Sequence, residues 1–218
     1  MRIPAFITSR DLMSAIDMAE KLRQCRAISS VWILDCNSTY KPLLEAYSRL
    51  SGGISVSYGE NHGCRAYWER FKFVNSPPFY LVTDGDLDIS HWTGDEIDIM
   101  LDRLRSQQQL IKVGSALQLS DLPDTELGRK AAQHESQFWT HQTAPGFFAA
   151  DIDTTLAIYR TPDWHGYYPA ERCTLAMARH LPWYLDINNL PDDHRHYLNR
   201  DDHQAGTHWS GLLRCKMN

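Results

Sequence analysis

Short apolar runs alternate with amphipathic segments through the first part of the chain. The apolar runs predict β-strands at residues 3–8, 30–35, 54–58 and 79–84. Between them, apolar residues recur at helical spacing, as at Leu12, Ile16, Ala19 and Leu22. The resulting β-α-β-α-β-α-β order is typical of a mostly parallel central sheet with helices on both faces.

Turn and capping residues fix where the predicted helices begin and end. Ser9 is the expected N-cap of the first helix, and Pro42 the expected first residue of the second. Gly52 and Gly53 end the second helix, and residues 64–73 form the third.

The pattern after residue 90 is less regular. A capping box at residues 93–96 predicts a helix, followed by a strand at 111–119 and a helix at 128–139. Residues 147–160 contain strand material, and the rest is expected to be irregular. We therefore predict one domain over residues 1–218, with a nucleotide-type half at 1–127 and a substrate half at 128–218.

Polar side chains stand where three predicted strands end, namely Thr8, Asp35 and Asp84. In a parallel sheet the carboxyl ends of the strands lie at one edge, where ligands bind in such folds. The sequence therefore predicts one ligand site built from these three strand ends.

The fourth strand ends in acids at alternate positions: Asp84, Asp86 and Asp88. Clustered carboxylates repel one another unless a cation lies between them, and Mg²⁺ shares such ligands with substrate phosphates. A calcium EF-hand is excluded, because Ile89 and Asp95 occupy its glycine and glutamate positions and a strand precedes it. The chain also lacks both glycine-rich phosphate loops, so a metal held by Asp84 and Asp86 is the expected counter-charge for a phosphate.

Composition narrows the functional classes. The net charge of −5 does not suggest a nucleic-acid partner. The five cysteines are odd in number and include no C-x-x-C, which favours a reducing, cytoplasmic environment. We expect neither a signal peptide nor a transmembrane segment, which leaves peripheral membrane contact open. Arg10 and Arg65 are the cations expected to supplement the metal.

Four motifs in order resemble the GT-A fold glycosyltransferases, especially those of family-2 type. They are Thr8-Ser9-Arg10, Leu34-Asp35-Cys36-Asn37-Ser38-Thr39, Asn61-His62-Gly63-Cys64-Arg65 and Thr83-Asp84-Gly85-Asp86. The resemblance covers roughly the first ninety residues. It implies a Rossmann-like α/β fold and metal-dependent transfer of a sugar from a nucleoside diphosphate to a hydroxyl of a glycan or lipid-linked acceptor.

The resemblance also implies residue roles. Asp35 would lie by the base or ribose, and Thr8, Arg10, Asn61, Arg65 and Gly85 would line the same nucleotide-sugar pocket. Asp84 would contact ribose or a metal-bound water, and Asp86 would bind Mn²⁺ or Mg²⁺ on the diphosphate. A C-terminal histidine would complete the metal site, with His208 the first choice and His203 the alternative. An imidazole ligand favours Mn²⁺ over Mg²⁺.

The second half departs from the family, because the Glu-Asp element that often carries the catalytic base is missing. We expect the base to be Asp153, followed by Glu171 and then Asp121. Aromatic residues suited to stacking on sugar faces crowd this half. They are Trp139, Trp164, Tyr167, Tyr168, Trp183 and Tyr184.

Two other functions compete with this one. The stretch from Asp151 to Thr155 resembles the nucleophile motif of haloacid-dehalogenase-type phosphatases, with Asp151 as nucleophile and Asp153 as acid/base. The downstream lysine of that family has no match in the right order, since Lys216 follows the later acidic pairs. A non-catalytic module that binds nucleotide sugars or glycans is the second alternative.

Overall fold

The first four strands form the parallel half of the central sheet. The computed structural model describes residues 1–71, 77–152, 155–161 and 169–200. β1 (Ile3–Ser9) lies between β2 (Ile28–Cys36) and β4 (Phe79–Asp84), and β3 (Ile54–Gly59) pairs with the outer side of β2. All of these neighbours are parallel.

Alternate residues of these strands face two different cores, as expected for pleated strands. Ile7 and Leu81 face the larger core, which includes α1 (Ser14–Gln24) and α4 (Asp95–Ser106). Phe6 and Tyr80 face a smaller aromatic core under α3 (Ala66–Phe71). Helices therefore cover both faces of the sheet, as predicted. A further helix, α2 (Lys41–Tyr47), follows β2.

The second half extends the same sheet. Beyond β4 the order continues with β9 (Ala157–Arg160), β6 (Lys112–Leu117), β10 (Ala170–His180), β8 (Phe147–Ala149) and β7 (Gln142–Ala144), while β5 (Leu87–Asp88) pairs with β10. β9 runs antiparallel to both of its neighbours, so β6 and β10 point the same way as β1 to β4. The predicted α/β class with a large, mostly parallel sheet is confirmed.

Two local predictions were wrong. Ser9 does not cap the first helix; it is the last residue of β1, and Asp11 takes a left-handed φ of 61° that turns the chain before the helix begins at Ser14.

The C-terminal region, predicted to be irregular, contains β10, the longest strand described, along with α6 (Asp192–Leu198). Its bulge between Cys173 and Met177 breaks the strand periodicity, which hid β10 from sequence analysis.

The fifth helix begins earlier than expected. α5 (Glu126–Glu135) is capped by Thr125, whose hydroxyl accepts a hydrogen bond from the backbone N–H of Gly128 at 3.0 Å. A 3₁₀ turn at Ser136–Trp139 completes the predicted 128–139 segment. No helix in the described ranges has the length and apolar character required to span a bilayer.

Candidate active site at the carboxyl edge of the sheet

The three polar strand ends meet at one edge of the sheet, as predicted. Thr8 lies opposite Asp84 on one side and Leu34 on the other, and Ser9 lies opposite Asp35. Thr8 and Asp35 are buried, whereas Asp84 is half-buried. The parallel registers alone bring these residues together, so chemistry from three separate strands can act on one ligand.

The turn from Asp84 to Asp86 is fastened tightly to β1 and α1. The backbone N–H of Gly85 donates to the Thr8 carbonyl at 2.8 Å, and the Ser14 hydroxyl donates to the Gly85 carbonyl at 2.6 Å. A Cβ atom at position 85 would lie 2.9 Å from the Cβ of Ser9, closer than such atoms approach. The glycine is therefore required for this turn to pack against β1.

The other side of the same turn is held by β10. Leu87 pairs with His180 in the antiparallel β5–β10 contact, and the backbone N–H of Leu181 donates to the Asp86 carbonyl at 2.9 Å. These bonds place the Asp86 carboxylate beside the His180 imidazole, with 3.4 Å between Oδ2 and Nε2. The two halves of the chain thus meet at the acidic turn.

The carboxylate of Asp86 is only partly satisfied. Its Oδ1 atom is buried and has no hydrogen-bond partner in the described part of the chain, and the same is true of His180 Nδ1. Burial raises the pKa of the Asp86 carboxyl, but His180, the Asp86 backbone N–H and His194 together outweigh burial, so the pKa lies below its ordinary value. An ionised carboxylate with a buried free oxygen is suited to an incoming cation or donor.

Two of the three predicted metal ligands lie in the described part of the chain. Asp84 and Asp86 lie on the same turn, and the free oxygen of Asp86 fits a hard divalent cation. His208 and His203 lie outside the described residues. Among the residues that are described, no group of three His, Cys, Asp or Glu side chains converges as a metal site, so metal binding here needs ligands from elsewhere, such as substrate phosphate.

A cleft of about 450 Å³ opens at the same edge of the sheet, between the ends of β2 and β3, with β1 between it and the acidic turn. Its lining comprises Asp35, Asn37, Ser38, Tyr58, Gly59, Glu60 and Asn61. Asp35 Oδ1 accepts a hydrogen bond from the Ser38 backbone N–H at 3.0 Å. Burial and the nearby Asp35 charge raise the pKa of the Tyr47 hydroxyl behind it. None of the lining residues carries a positive charge, so the cleft favours a neutral group over a phosphate.

Tyr58 is a cleft residue that sequence analysis missed. It pairs with Asp35 across β2 and β3, and 61% of its surface is exposed. Its ring meets the Tyr47 ring edge-on, with the centroids 6.2 Å apart. The signal was present in the sequence, because Tyr58 ends a parallel strand just as Thr8 and Asp84 do.

The predicted pocket residues differ in what surrounds them. Asn61 lines the cleft, and its side-chain oxygen accepts a hydrogen bond from the Gly63 N–H at 3.0 Å. Arg10 is buried directly after β1. Arg65 is exposed, and Arg70 shapes the cleft instead by donating to the carbonyls of Ser57, Asp35 and Glu60.

The structure revises the candidates for a catalytic base. Asp153 lies outside the described residues. Glu171 stands at the start of β10, at the opposite edge of the sheet, where it is buried and pairs with Arg103 through contacts of 2.7 and 2.9 Å. Both of its oxygens are engaged by Arg103 and Thr143, so its contacts do not favour the role of base, which remains a prediction.

Asp121 is the remaining base candidate, and it lies at the ligand edge. It follows β6, and its carboxylate accepts hydrogen bonds from Arg179 Nε and the Tyr184 hydroxyl, both at 2.7 Å. The Tyr184 hydrogen bond, together with Arg179, lowers the pKa of Asp121 and outweighs the opposing effect of burial. Arg179 also approaches Asp88 at 3.6 Å, which links Asp121 to the acidic turn.

Two of the predicted aromatic residues lie near this edge. Trp183 packs edge-on against His180, with 4.7 Å between ring centroids, and Tyr184 contacts Asp121. Trp139 packs against Phe148 instead. Trp164, Tyr167 and Tyr168 fall outside the described residues.

Comparison with known proteins shows that this chain is similar to others in fold and not in sequence. No protein-family model matches the sequence, and neither does any curated protein. Among solved structures, CMP:2-keto-3-deoxy-manno-octonic acid synthetase complexed with CTP is 11% identical, with a TM-score of 0.44 over 73% of this chain and 74% of that one. A mycobacterial protein is 12% identical, with a TM-score of 0.49 over 99% and 75%.

Glycosyltransferases also appear among the similar structures. Mouse xyloside xylosyltransferase 1, in its apo form, is 6% identical, with a TM-score of 0.39 over 73% of this chain and 67% of that one. Likeness at this level assigns neither an activity nor a ligand. Function has to be inferred from the side chains at the carboxyl edge.

Proposed function

We propose that this protein is a metal-dependent glycosyltransferase that uses a nucleoside-diphosphate sugar as donor. The observation that carries the proposal is the free, buried oxygen of Asp86 on a turn at the same edge of the sheet as the cleft at Asp35, with only β1 between them. One ligand bound at this edge would contact both features, and a nucleotide sugar has a part suited to each.

The cleft suits the nucleoside. It offers an exposed aromatic ring at Tyr58 and hydrogen-bond acceptors at Asp35, Glu60 and Asn61, and no lining residue is cationic. A base can stack on Tyr58, and N–H or O–H groups of the base and ribose can donate to the carboxylates. The diphosphate would be repelled from these acids and would extend toward the acidic turn.

The acidic turn suits the diphosphate, provided that a cation is bound. Asp84 and Asp86 would hold Mn²⁺ or Mg²⁺, which neutralises the charge that develops on a leaving diphosphate. Arg10 would add positive charge from the end of β1. His180 keeps the Asp86 carboxylate ionised and holds it in place.

The end of β10 suits the acceptor. Trp183 and Tyr184 follow β10 directly and offer rings on which a saccharide can stack. Asp121 lies there with both oxygens engaged, one by Arg179 and one by Tyr184, so it would have to exchange one of these partners for an acceptor hydroxyl before it could accept a proton. The proposed acceptor is a glycan or a lipid-linked saccharide.

Thermal shift with a panel of nucleoside diphosphates, each with and without Mn²⁺, tests the proposal, because a ligand that binds only the folded state raises the unfolding temperature. We expect stabilisation that requires both diphosphate and metal and that Asp86→Ala abolishes. Asp88→Ala is the matched control, since its carboxylate is directed to Ser90 and Arg179. No shift with any diphosphate, or equal shifts without metal, would overturn the proposal.

Turnover distinguishes an enzyme from a binding module. A glycosyltransferase hydrolyses its donor slowly in water when no acceptor is present, so free sugar should accumulate only with metal bound. Metal-dependent binding without release of sugar, across donors and acceptors, would instead favour the non-catalytic module. The phosphatase alternative gains no support, because Asp151 is exposed and follows β8, which runs antiparallel to β10.

A further inference from the structure

Asp11 connects the loops after β1 and β2. Its side chain is completely buried, and its φ of 61° is unusual for a residue other than glycine. Its Oδ1 atom accepts hydrogen bonds from the backbone N–H groups of Thr39 at 2.6 Å and Tyr40 at 2.9 Å. A strained backbone held by several bonds is often found where a protein fixes a functional loop.

The loop that Asp11 holds is one wall of the cleft. Asn37 and Ser38 line the cleft, and the Ser38 hydroxyl accepts a hydrogen bond from the Asp11 backbone N–H at 2.8 Å. Asn37 itself takes a left-handed φ of 64°. The position of this wall relative to Asp35 therefore depends on Asp11.

Arg200, just after α6, completes the arrangement from the other end of the chain. Its Nη1 atom donates to Asp11 Oδ2 at 2.9 Å, to Thr39 Oγ1 at 2.8 Å and to the Asn37 carbonyl at 3.1 Å. The guanidinium is largely shielded from solvent. A shielded charge-assisted bond of this kind is stronger than a surface ion pair.

Two further contacts fasten α6 to the same loops. The Met13 backbone N–H donates to Asp193 Oδ2 at 2.8 Å, and His196 Nε2 lies 2.9 Å from Thr39 Oγ1. The His196 ring also packs on Tyr40, with centroids 5.3 Å apart. The helix is thus joined at several points to the loops that form the cleft.

We infer that Asp11 and Arg200 form a latch through which α6 positions the wall of the cleft. Both are positioning residues, because neither lines the cleft and they act through Asn37, Ser38 and Thr39. The identity of the cleft ligand as a nucleotide rests on the proposed function; the latch itself rests on the contacts alone. Coupling is reciprocal, so docking of α6 strengthens ligand binding and ligand binding strengthens docking of α6.

Hydrogen exchange without any ligand tests the latch directly. In Arg200→Gln, the backbone amides of Thr39 and Tyr40 should exchange faster than in the wild type, because Asp11 loses the cation that holds its carboxylate. Arg195→Gln is the matched control, since Arg195 is an exposed arginine of α6 that pairs with Asp192. Equal exchange at residues 39 and 40 in wild type and Arg200→Gln would overturn the inference.

Ligand binding then tests the coupling. We expect Arg200→Gln to weaken diphosphate binding about tenfold, Arg200→Lys to recover part of the loss, and Arg195→Gln to bind like the wild type. If the wild type binds no diphosphate, the proposed function fails while the exchange result still decides the latch. If Arg200→Gln does not fold, hydrogen exchange of the wild-type protein with and without saturating diphosphate tests the coupling instead. The diphosphate should slow exchange at residues 192–198. Slower exchange confined to the cleft residues would overturn the coupling.

Discussion

The two edges of the central sheet use carboxylates in opposite ways. At the start of β10, Glu171 is fully engaged by Arg103 and by the Thr143 hydroxyl at 2.7 Å. At the carboxyl edge, Asp86 has one neighbour at 3.4 Å and one buried oxygen without a partner in the described residues. Both carboxylates are largely buried, so burial alone does not distinguish a functional acid from a structural one.

The difference lies in how completely each acid is satisfied. A buried charge is tolerated when its partners are complete, and it costs free energy when they are not. The Glu135–Arg172 pair follows the first pattern, with both side chains buried and a contact of 2.5 Å. Asp86 is only half paired, because His180 approaches one oxygen while the other has no partner among the described residues, as the proposed ligand site requires.

The largest effect should come from removing Glu171, the fully hydrogen-bonded carboxylate at the start of β10. Glu171→Ala leaves the Arg103 guanidinium partly buried without its carboxylate, which should cost about 3–5 kcal/mol of unfolding free energy. Chemical denaturation measures the loss, and diphosphate affinity of the folded fraction should be unchanged. The exposed Glu45→Ala serves as control. A loss below about 1 kcal/mol, or a loss of affinity without a loss of stability, would show that Glu171 is not structural.

Neutralising Asp86 at the carboxyl edge should mainly reduce ligand binding and transfer, with little effect on stability. Asp86→Asn removes the charge without changing the shape, so metal-dependent binding and transfer should fall by about 10²-fold or more. Unfolding free energy should fall only slightly, because the pKa of the Asp86 carboxyl is lowered in the folded protein, mainly by His180, so the ionised form contributes some stability at neutral pH. Calorimetric titration with Mn²⁺ and diphosphate measures the first effect, and denaturation the second. A large loss of stability would contradict the contrast between the two edges.

Tyr58 tests whether the cleft receives a base. Tyr58→Ala removes an exposed ring, which should weaken nucleotide binding by about 1–3 kcal/mol and leave stability nearly unchanged. Tyr58→Phe keeps the ring and should bind almost as the wild type does. Equal losses in both variants would point to the hydroxyl instead of stacking, and no loss in either would remove the base from this cleft.

Much of the first half could be predicted from the sequence. The parallel strands, their polar ends and the acidic turn all follow from local patterns, because each is set by residues that are neighbours in the chain. The meeting of Thr8, Asp35 and Asp84 also follows, since parallel strands end at one edge. Gly85 was expected in the pocket, but its close packing on Ser9 could only be observed in the structure.

The second half was harder to predict because its roles depend on contacts between distant residues. His180 contacts Asp86 because it ends β10, which pairs with β6 in the sheet. The bulge in β10 concealed that strand in the sequence. Glu171 was indistinguishable from a catalytic acid until Arg103 was seen against it. Arg200 gives no local signal of its bond to Asp11, a residue 189 positions away.

Asp193 provides the test with the smallest expected effect. It is a fully hydrogen-bonded carboxylate at the same edge of the sheet as the partly paired Asp86. Its carboxylate accepts hydrogen bonds from the Met13 and His194 backbone N–H groups, and the His194 ring lies 3.0 Å away. Burial raises the pKa of Asp193, but the His194 and Met13 contacts outweigh burial and lower it. A carboxyl whose pKa is lowered by folding stabilises the protein above its unfolded pKa and loses that contribution as pH falls through the folded pKa.

Asp193→Asn should therefore reduce the unfolding free energy by about 1 kcal/mol at pH 7. The deficit should shrink as the pH falls below about 3.8, the ordinary value of the group, because the wild-type carboxylate then gains a proton. Urea denaturation of both proteins from pH 7 to pH 3 measures the difference. A deficit that stays constant with pH would mean that the shape of Asp193, and not its charge, secures α6 to the loop after β1. In that case the contrast between satisfied and unsatisfied acids would not extend to this helix.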